Sequence, residues 1–192
     1  MNQTIPTSLS KLKTLLLVPA ALMGGLTFSH VSIGAEVTDL TTIAAEGWST
    51  PVKESYSNFQ CGENSVLIGR QHSGDENGTT LYQCAKTNLK IESITTSEQM
   101  RESSGVNYVC PDNQVMVGRK HDGDEDGYTS YTCGKAYTKT EQPVKVVKGS
   151  WSKEQKESRS SFTCPTNQVM IGRVHTSDEN GDTRYLCGTL TL

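Results

Sequence analysis

Six cysteines fall into three pairs with one separation. Cys61 and Cys84, Cys110 and Cys133, and Cys164 and Cys187 are each 23 positions apart. The words between them align without a gap: NSVLIGRQHSGDENGTTLYQC, NQVMVGRKHDGDEDGYTSYTC and NQVMIGRVHTSDENGDTRYLC. Repetition on this scale means one supersecondary unit copied and packed against itself. Six cysteines allow fifteen pairings in principle. The repeat selects Cys61–Cys84, Cys110–Cys133 and Cys164–Cys187, because each copy can then be chemically equivalent.

The start of the chain reads as an export signal over residues 1–35. Lys11 and Lys13 precede an apolar stretch from Thr14 to Phe28, and small residues lead to a cleavage point after Ala35. Pro19, Gly24 and Gly25 interrupt the stretch, which is shorter than the roughly 18–20 residues of a membrane span. No membrane span is expected once the signal is removed. Residues 36–46 then form a polar lead-in. The expected setting is secreted or periplasmic, where disulfides persist.

Disulfides matter here because the chain is only 34% hydrophobic and 6% aromatic. A lean core needs covalent support. Removing Lys11 and Lys13 lowers the basic residues from 18 to 16 against 21 acidic ones, a net charge of −5. An acidic domain lacks the electrostatic footprint for a phosphate backbone, so nucleic acid is not the expected partner.

Local patterning is that of strands. Val66-Leu67-Ile68, Val115-Met116-Val117 and Val169-Met170-Ile171 are short, largely β-branched runs. Downstream, Thr80, Tyr82 and Cys84 alternate with variable residues, as do Thr129, Tyr131 and Cys133, and Thr183, Tyr185 and Cys187. Period two is the strand period. Asn77-Gly78, Asp126-Gly127 and Asn180-Gly181 lie between the runs and read as hairpin turns in which both residues tolerate positive φ. The expected fold is all-β. Three tandem disulfide-closed β-hairpin repeats (residues 47–94, 95–147 and 148–192) are arranged with pseudo-threefold symmetry, β-trefoil-like or prism-like, or arrayed as small β modules. Ahead of the cysteines, Trp48-Ser49 matches Trp151-Ser152, and Glu54-Ser55 matches Glu157-Ser158. The middle copy carries Thr96-Ser97 and Glu102-Ser103, offset by one residue. Phe59, Tyr108 and Phe162 stand two residues before a cysteine.

Strand alternation places Val66, Ile68, Arg70 and His72 on one face of the first hairpin strand, with Leu67, Gly69 and Gln71 on the other. The candidate ligand-binding residues are the repeated ones: Arg70, His72, Asp75 and Tyr82; Arg119, His121, Asp124 and Tyr131; and Arg173, His175, Asp178 and Tyr185. A purely structural role pairs each arginine with the turn carboxylates, Asp75 or Glu76 in the first copy. Calcium is the candidate cofactor, none being required. Asp122, Asp124 and Asp126 with Gly127 give closely spaced oxygens on a turn, although Cys133 stands where an EF-hand needs its glutamate. Three histidines meeting on a threefold axis would be a zinc site.

These residues supply directional donors, acceptors and ring faces. The expected function is therefore non-enzymatic recognition of an extracellular or periplasmic glycan or protein surface through three related hairpin sites. The alternatives are a structural or inhibitory interaction module whose repeats serve only the fold, and a hydrolase using Asp75 and Glu76 or their copies. Against the hydrolase, the chain has no GxSxG, no HExxH and no unpaired cysteine, and it offers three similar sites. Asn77-Gly78-Thr79 is also an N-glycosylation sequon.

Overall fold

The alternating apolar runs form antiparallel strands, and each copy repeats the same five. A computed structural model describes residues 43–192 except 76, 125, 126 and 179. The segment read as a signal peptide and most of the polar lead-in lie outside the described residues. The first copy contains β1 (Ala44–Trp48), β2 (Val52–Lys53), β3 (Asn58–Gln60), β4 (Ser65–Ser73) and β5 (Thr79–Lys86). The second contains β6 (Lys90–Thr96), β7 (Met100–Arg101), β8 (Val106–Val109), β9 (Gln114–Asp122) and β10 (Tyr128–Tyr137). The third contains β11 (Lys145–Trp151), β12 (Gln155–Lys156), β13 (Ser161–Thr163), β14 (Gln168–His175) and β15 (Asp182–Thr191). One turn of 3-10 helix sits between the second and third strands of every copy, at Glu54–Tyr56, Glu102–Ser104 and Glu157–Arg159. The fold is all-β, and no helix among the described residues is long and apolar enough to cross a membrane.

The copies are not self-contained. Each hairpin takes its outer strand from the copy before it. The first sheet runs β1-β5-β4-β13, the second β6-β10-β9-β3, and the third β11-β15-β14-β8. Thus β3 joins the second hairpin, β8 the third and β13 the first. The three sheets close into a ring rather than lying in a row, and β4, β9 and β14 approach one another around its axis.

The three disulfides pair as the spacing requires, and the described residues include no free cysteine. Their placement is less obvious. The Cys61 amide donates to the Val117 carbonyl, so Cys61 belongs beside β9 of the second sheet, while Cys84 lies in β5 of the first. Cys110 donates to Ile171 and Cys164 to Ile68 in the same way. Each bond is therefore internal to a copy in sequence but joins two sheets in space. Stacked rings follow the same path: Phe59 on Tyr82, Tyr108 on Tyr131 and Phe162 on Tyr185, with centroids 4.5, 4.7 and 4.9 Å apart. Three disulfides suit an oxidising, extracellular-type environment.

Two local expectations are corrected. First, a bulge interrupts the first hairpin strand. Leu67 pairs with Cys84 but Gly69 pairs with Gln83, so the face switches at Ile68. Arg70 and His72 then lie opposite Tyr82 and Thr80 and share a face with Leu67, while Val66 and Ile68 pack into a separate aliphatic cluster. One extra residue in a strand has this effect because the side-chain period is two. Second, the hairpin turns do not use the Asn-Gly pair as a two-residue loop. His72–Thr80 and Ser73–Thr79 are the last pairs, and positive φ falls on Gly74, Gly123 and Ser177. Gly78 serves instead to let backbone approach backbone: its amide donates to Asp75 O at 2.7 Å, and a Cβ there would lie 2.7 Å from that same oxygen.

Candidate functional site

The repeated arginine, histidine and tyrosine side chains are interior. Arg70, Arg119 and Arg173 are 1%, 2% and 1% exposed, and the three histidines and three tyrosines are equally buried. A buried guanidinium requires a carboxylate partner. The partner is not the turn acid of the structural expectation. Asp75, Asp124 and Asp178 are at the surface, and Glu76 lies outside the described residues. The carboxylates come from the 3-10 turns, as Glu54, Glu102 and Glu157.

These six residues close a ring. Glu54 takes Arg70 at 3.0 Å and Arg119 at 2.5 Å. Glu102 takes Arg119 at 3.4 Å and Arg173 at 2.7 Å. Glu157 takes Arg173 at 2.9 Å and Arg70 at 2.5 Å. Each glutamate thus binds the arginine of its own copy and of the next, and the third copy returns to the first. Each tyrosine hydroxyl accepts from the following copy's arginine: Tyr82 from Arg119 at 3.2 Å, Tyr131 from Arg173 at 3.1 Å and Tyr185 from Arg70 at 3.3 Å.

Backbone contacts set this geometry. The Glu54, Glu102 and Glu157 amides each donate to the hairpin glycine, Gly78, Gly127 and Gly181, so the 3-10 turn is fixed to its own hairpin. The bulge described above turns the arginines inward. Burial by itself would raise the Glu54 carboxyl, but the charges of Arg119 and Arg70 outweigh it and hold the group well below the usual carboxylate range. Glu102 and Glu157 are lowered by the same opposition between burial and two arginines. Three positive and three negative charges balance. The Nε atoms of Arg70 and Arg119 have no hydrogen-bond partner among the described residues, so charge rather than saturated hydrogen bonding holds the ring.

The histidines line the ring without meeting one another. His72 Nδ1 is 2.8 Å from Thr80 Oγ1, and its Nε2 is 3.0 Å from the Gly74 carbonyl. His121 Nδ1 lies 3.3 Å from Glu102, and His175 Nδ1 lies 3.8 Å from Glu157. Burial, followed by the Arg173 charge, pushes His175 down to about 4, and burial with Arg70 lowers His72. Each imidazole faces a threonine or glutamate beside the ring rather than a shared point where three histidines would hold zinc. No group of three or more His, Cys, Asp or Glu among the described residues is placed to hold a metal ion.

Of the acidic turn residues, Asp122 sits 3.7 Å from the Lys120 ammonium. Asp75 and Asp178 accept the amides of Asn77 and Asn180 through a side-chain oxygen and so cap their own turns. Asp126, the third candidate calcium ligand, lies outside the described residues.

Outside the ring the copies differ. A groove of about 320 Å³ beside the first hairpin is lined by Gln71, Ser73, Thr79, Leu81 and Arg159. The matching ends of the other two hairpins carry different side chains. Glu54, Glu102 and Glu157 are site residues outside the sequence candidates. Their signal was the Glu-Ser pair ahead of each first cysteine. No family model, curated protein or solved structure matches the chain.

Proposed function

We propose that this chain is an exported, non-catalytic recognition module that binds a glycan outside the cytoplasm through the outer faces of its hairpin ends. One observation carries the reading: the repeated arginine, histidine and tyrosine side chains are consumed inside, while the hairpin ends present one repeated aspartate each among side chains that differ from copy to copy. Arg70, His72 and Tyr82 and their copies have internal partners and act as scaffold. The remaining candidates, Asp75, Asp124 and Asp178, stand at the hairpin ends, where a ligand can reach them. Three sheets linked by three disulfides and an ion ring form a support that loses little entropy on binding, which favours affinity. Three hairpin ends on one frame also permit avidity toward a repeating polymer.

A screen of immobilised glycans tests the reading, run once with calcium and once with EDTA because Asp122 and Asp124 stand together at one end. Binding to an oligosaccharide supports it. The absence of any glycan signal, with capture of a single protein partner instead, would transfer the role to protein interaction.

A further inference from the structure

The hairpin end of the second sheet departs most from the threefold pattern. The register places four outward residues in one row across it. Asp122 pairs with Tyr128, and Tyr128 pairs with Arg101. The row continues past β3: the His121 amide donates to Ser57 O at 2.7 Å and the Gly123 amide to Ser55 O at 2.8 Å, which brings Tyr56 opposite Asp122. Burial confirms the outward direction, since Ser57, His121 and Thr129, the neighbours of Tyr56, Asp122 and Tyr128, all point inside. The row reads Tyr56, Asp122, Tyr128, Arg101.

The same row in the first sheet is Arg159, Ser73, Thr79, Lys53. In the third it is Gly105, Thr176, Asp182, Lys156, with Lys156 and Asp182 paired at 3.0 Å. Only the second carries aromatics. Tyr56 is 73% exposed and Tyr128 is 44% exposed, while Phe59, Tyr82, Tyr108, Tyr131, Trp151, Phe162 and Tyr185 lie in the core or pack against it. Neighbouring strands lie about 4.8 Å apart, so the two tyrosines, separated by one strand, stand about 10 Å apart with Asp122 between them.

We propose that this row is a carbohydrate subsite for a neutral sugar. The inference rests on the glycan reading above and gives it an address. A pyranose has an apolar C–H face and a rim of hydroxyls. The tyrosine rings offer flat surfaces to the first, and the hydroxyls of Tyr56 and Tyr128 remain polar handles. Asp122, with Lys120 at 3.7 Å, supplies an acceptor and a donor for the rim. Arg101 stands 5.6 Å over the Tyr128 ring and braces it from one side. A protein partner is the poorer match. Two rings amid charged side chains fall far short of the roughly 800 Å² per partner that a standard interface buries.

The test uses neutral hexose and N-acetylhexosamine oligosaccharides of three to six units, immobilised, with the intact disulfide-bonded protein. Tyr56→Ala and Tyr128→Ala should each weaken binding about tenfold, the loss of one aromatic contact. Arg159→Ala and Ser73→Ala, at the corresponding positions of the first sheet, should leave it unchanged. Both tyrosines are exposed, so unchanged circular dichroism and melting temperature are expected. If oligosaccharides bind but both tyrosine variants retain full affinity, the subsite is wrong and the glycan reading stands. If no neutral oligosaccharide binds, or if a protein binds here and Tyr56→Ala releases it, the subsite falls. Binding confined to charged glycans and abolished by Arg159→Ala would place the site on the first sheet instead.

Discussion

The ion ring and the hairpin ends lie within one turn of each other in sequence, yet they obey opposite rules. In the ring, each of the three copies supplies one glutamate and one arginine with the same pattern of partners, because each glutamate must serve two arginines from different copies. A change in one copy is felt in the next. At the hairpin ends each outward row touches only its own sheet, and the rows read aromatic and acidic, cationic and hydroxylic, or internally ion-paired. Symmetry is enforced where charges share partners and is free to lapse where they do not. Substitutions inside should therefore cost stability, while substitutions outside should leave it nearly unchanged.

The sharpest way to break this contrast is Glu102→Ala. Glu102 is shared by Arg119 and Arg173, so its removal leaves three buried guanidinium groups facing two carboxylates. Uncompensated buried charge costs about 3–5 kcal/mol. Urea unfolding should show that loss, while Tyr56→Ala in the same assay should shift stability by less than about 0.5 kcal/mol. Equal effects would mean that the ring is not the keystone of the fold.

Next in size is the covalent link between sheets. Replacing Cys110 and Cys133 together by alanine opens a loop whose closure is worth about 3.5 kcal/mol in the chain-entropy treatment. Because Cys110 lies against the third sheet and Cys133 in the second, the contact between those sheets should loosen first. Amide hydrogen exchange should rise in β8 and β14 before it rises in β4 and β5.

Acid should act on the ring and spare the hairpin ends. His175 titrates at about 4 in the folded chain, against about 6.5 for an ordinary histidine. It faces Arg173, Glu157, Glu102 and Arg70, two cations and two carboxylates. Between those two pH values the unfolded state takes up a proton that the folded state refuses, so stability falls as pH falls from 6.5 toward 4. The loss is at most about 3–4 kcal/mol. His72 shifts the same way. The glutamates, whose folded values are depressed, extend the loss below the ordinary carboxylate range. Urea midpoints at neutral and acidic pH measure the trend, and His175→Gln should make it shallower above pH 4, leaving the share that His72 contributes.

Much of the scaffold was legible in the sequence. Equal cysteine spacing gave the disulfides and alternation around Tyr82 and Cys84 gave the strands, whereas the aromatics two residues before the cysteines showed their position but not their stacking. Glu54, Glu102 and Glu157 were visible as repeated Glu-Ser pairs, but nothing local tied them to arginines across the ring. The middle copy also blurred the alignment, since it inserts a residue before its cysteine and absorbs it at Gly105, where φ is +81°. Strand donation was hidden for a physical reason. A three-residue strand such as β13 carries no label for the hairpin it will join, and only closure of the ring decides it. The face assignment failed at one bulge, because a single extra residue inverts every side chain beyond it.

The smallest expected effect tests whether the hairpin ends are independent of the ring. Gly74 and Gly123 adopt φ of 102° and 110° after the first two hairpin strands, and Ser177 takes their place in the third copy with φ of 69°. A side chain in this region costs about 1–2 kcal/mol, and glycine gives back about half of that as unfolded-state entropy. Ser177→Gly should therefore stabilise the chain by about 0.5 kcal/mol, raising the melting temperature by about 1–2 °C. If the ends are independent, the gain persists unchanged in the Glu102→Ala background. A gain that vanishes there would show that turn strain is transmitted to the ring through Glu157, whose amide is bound to Gly181 of the same turn.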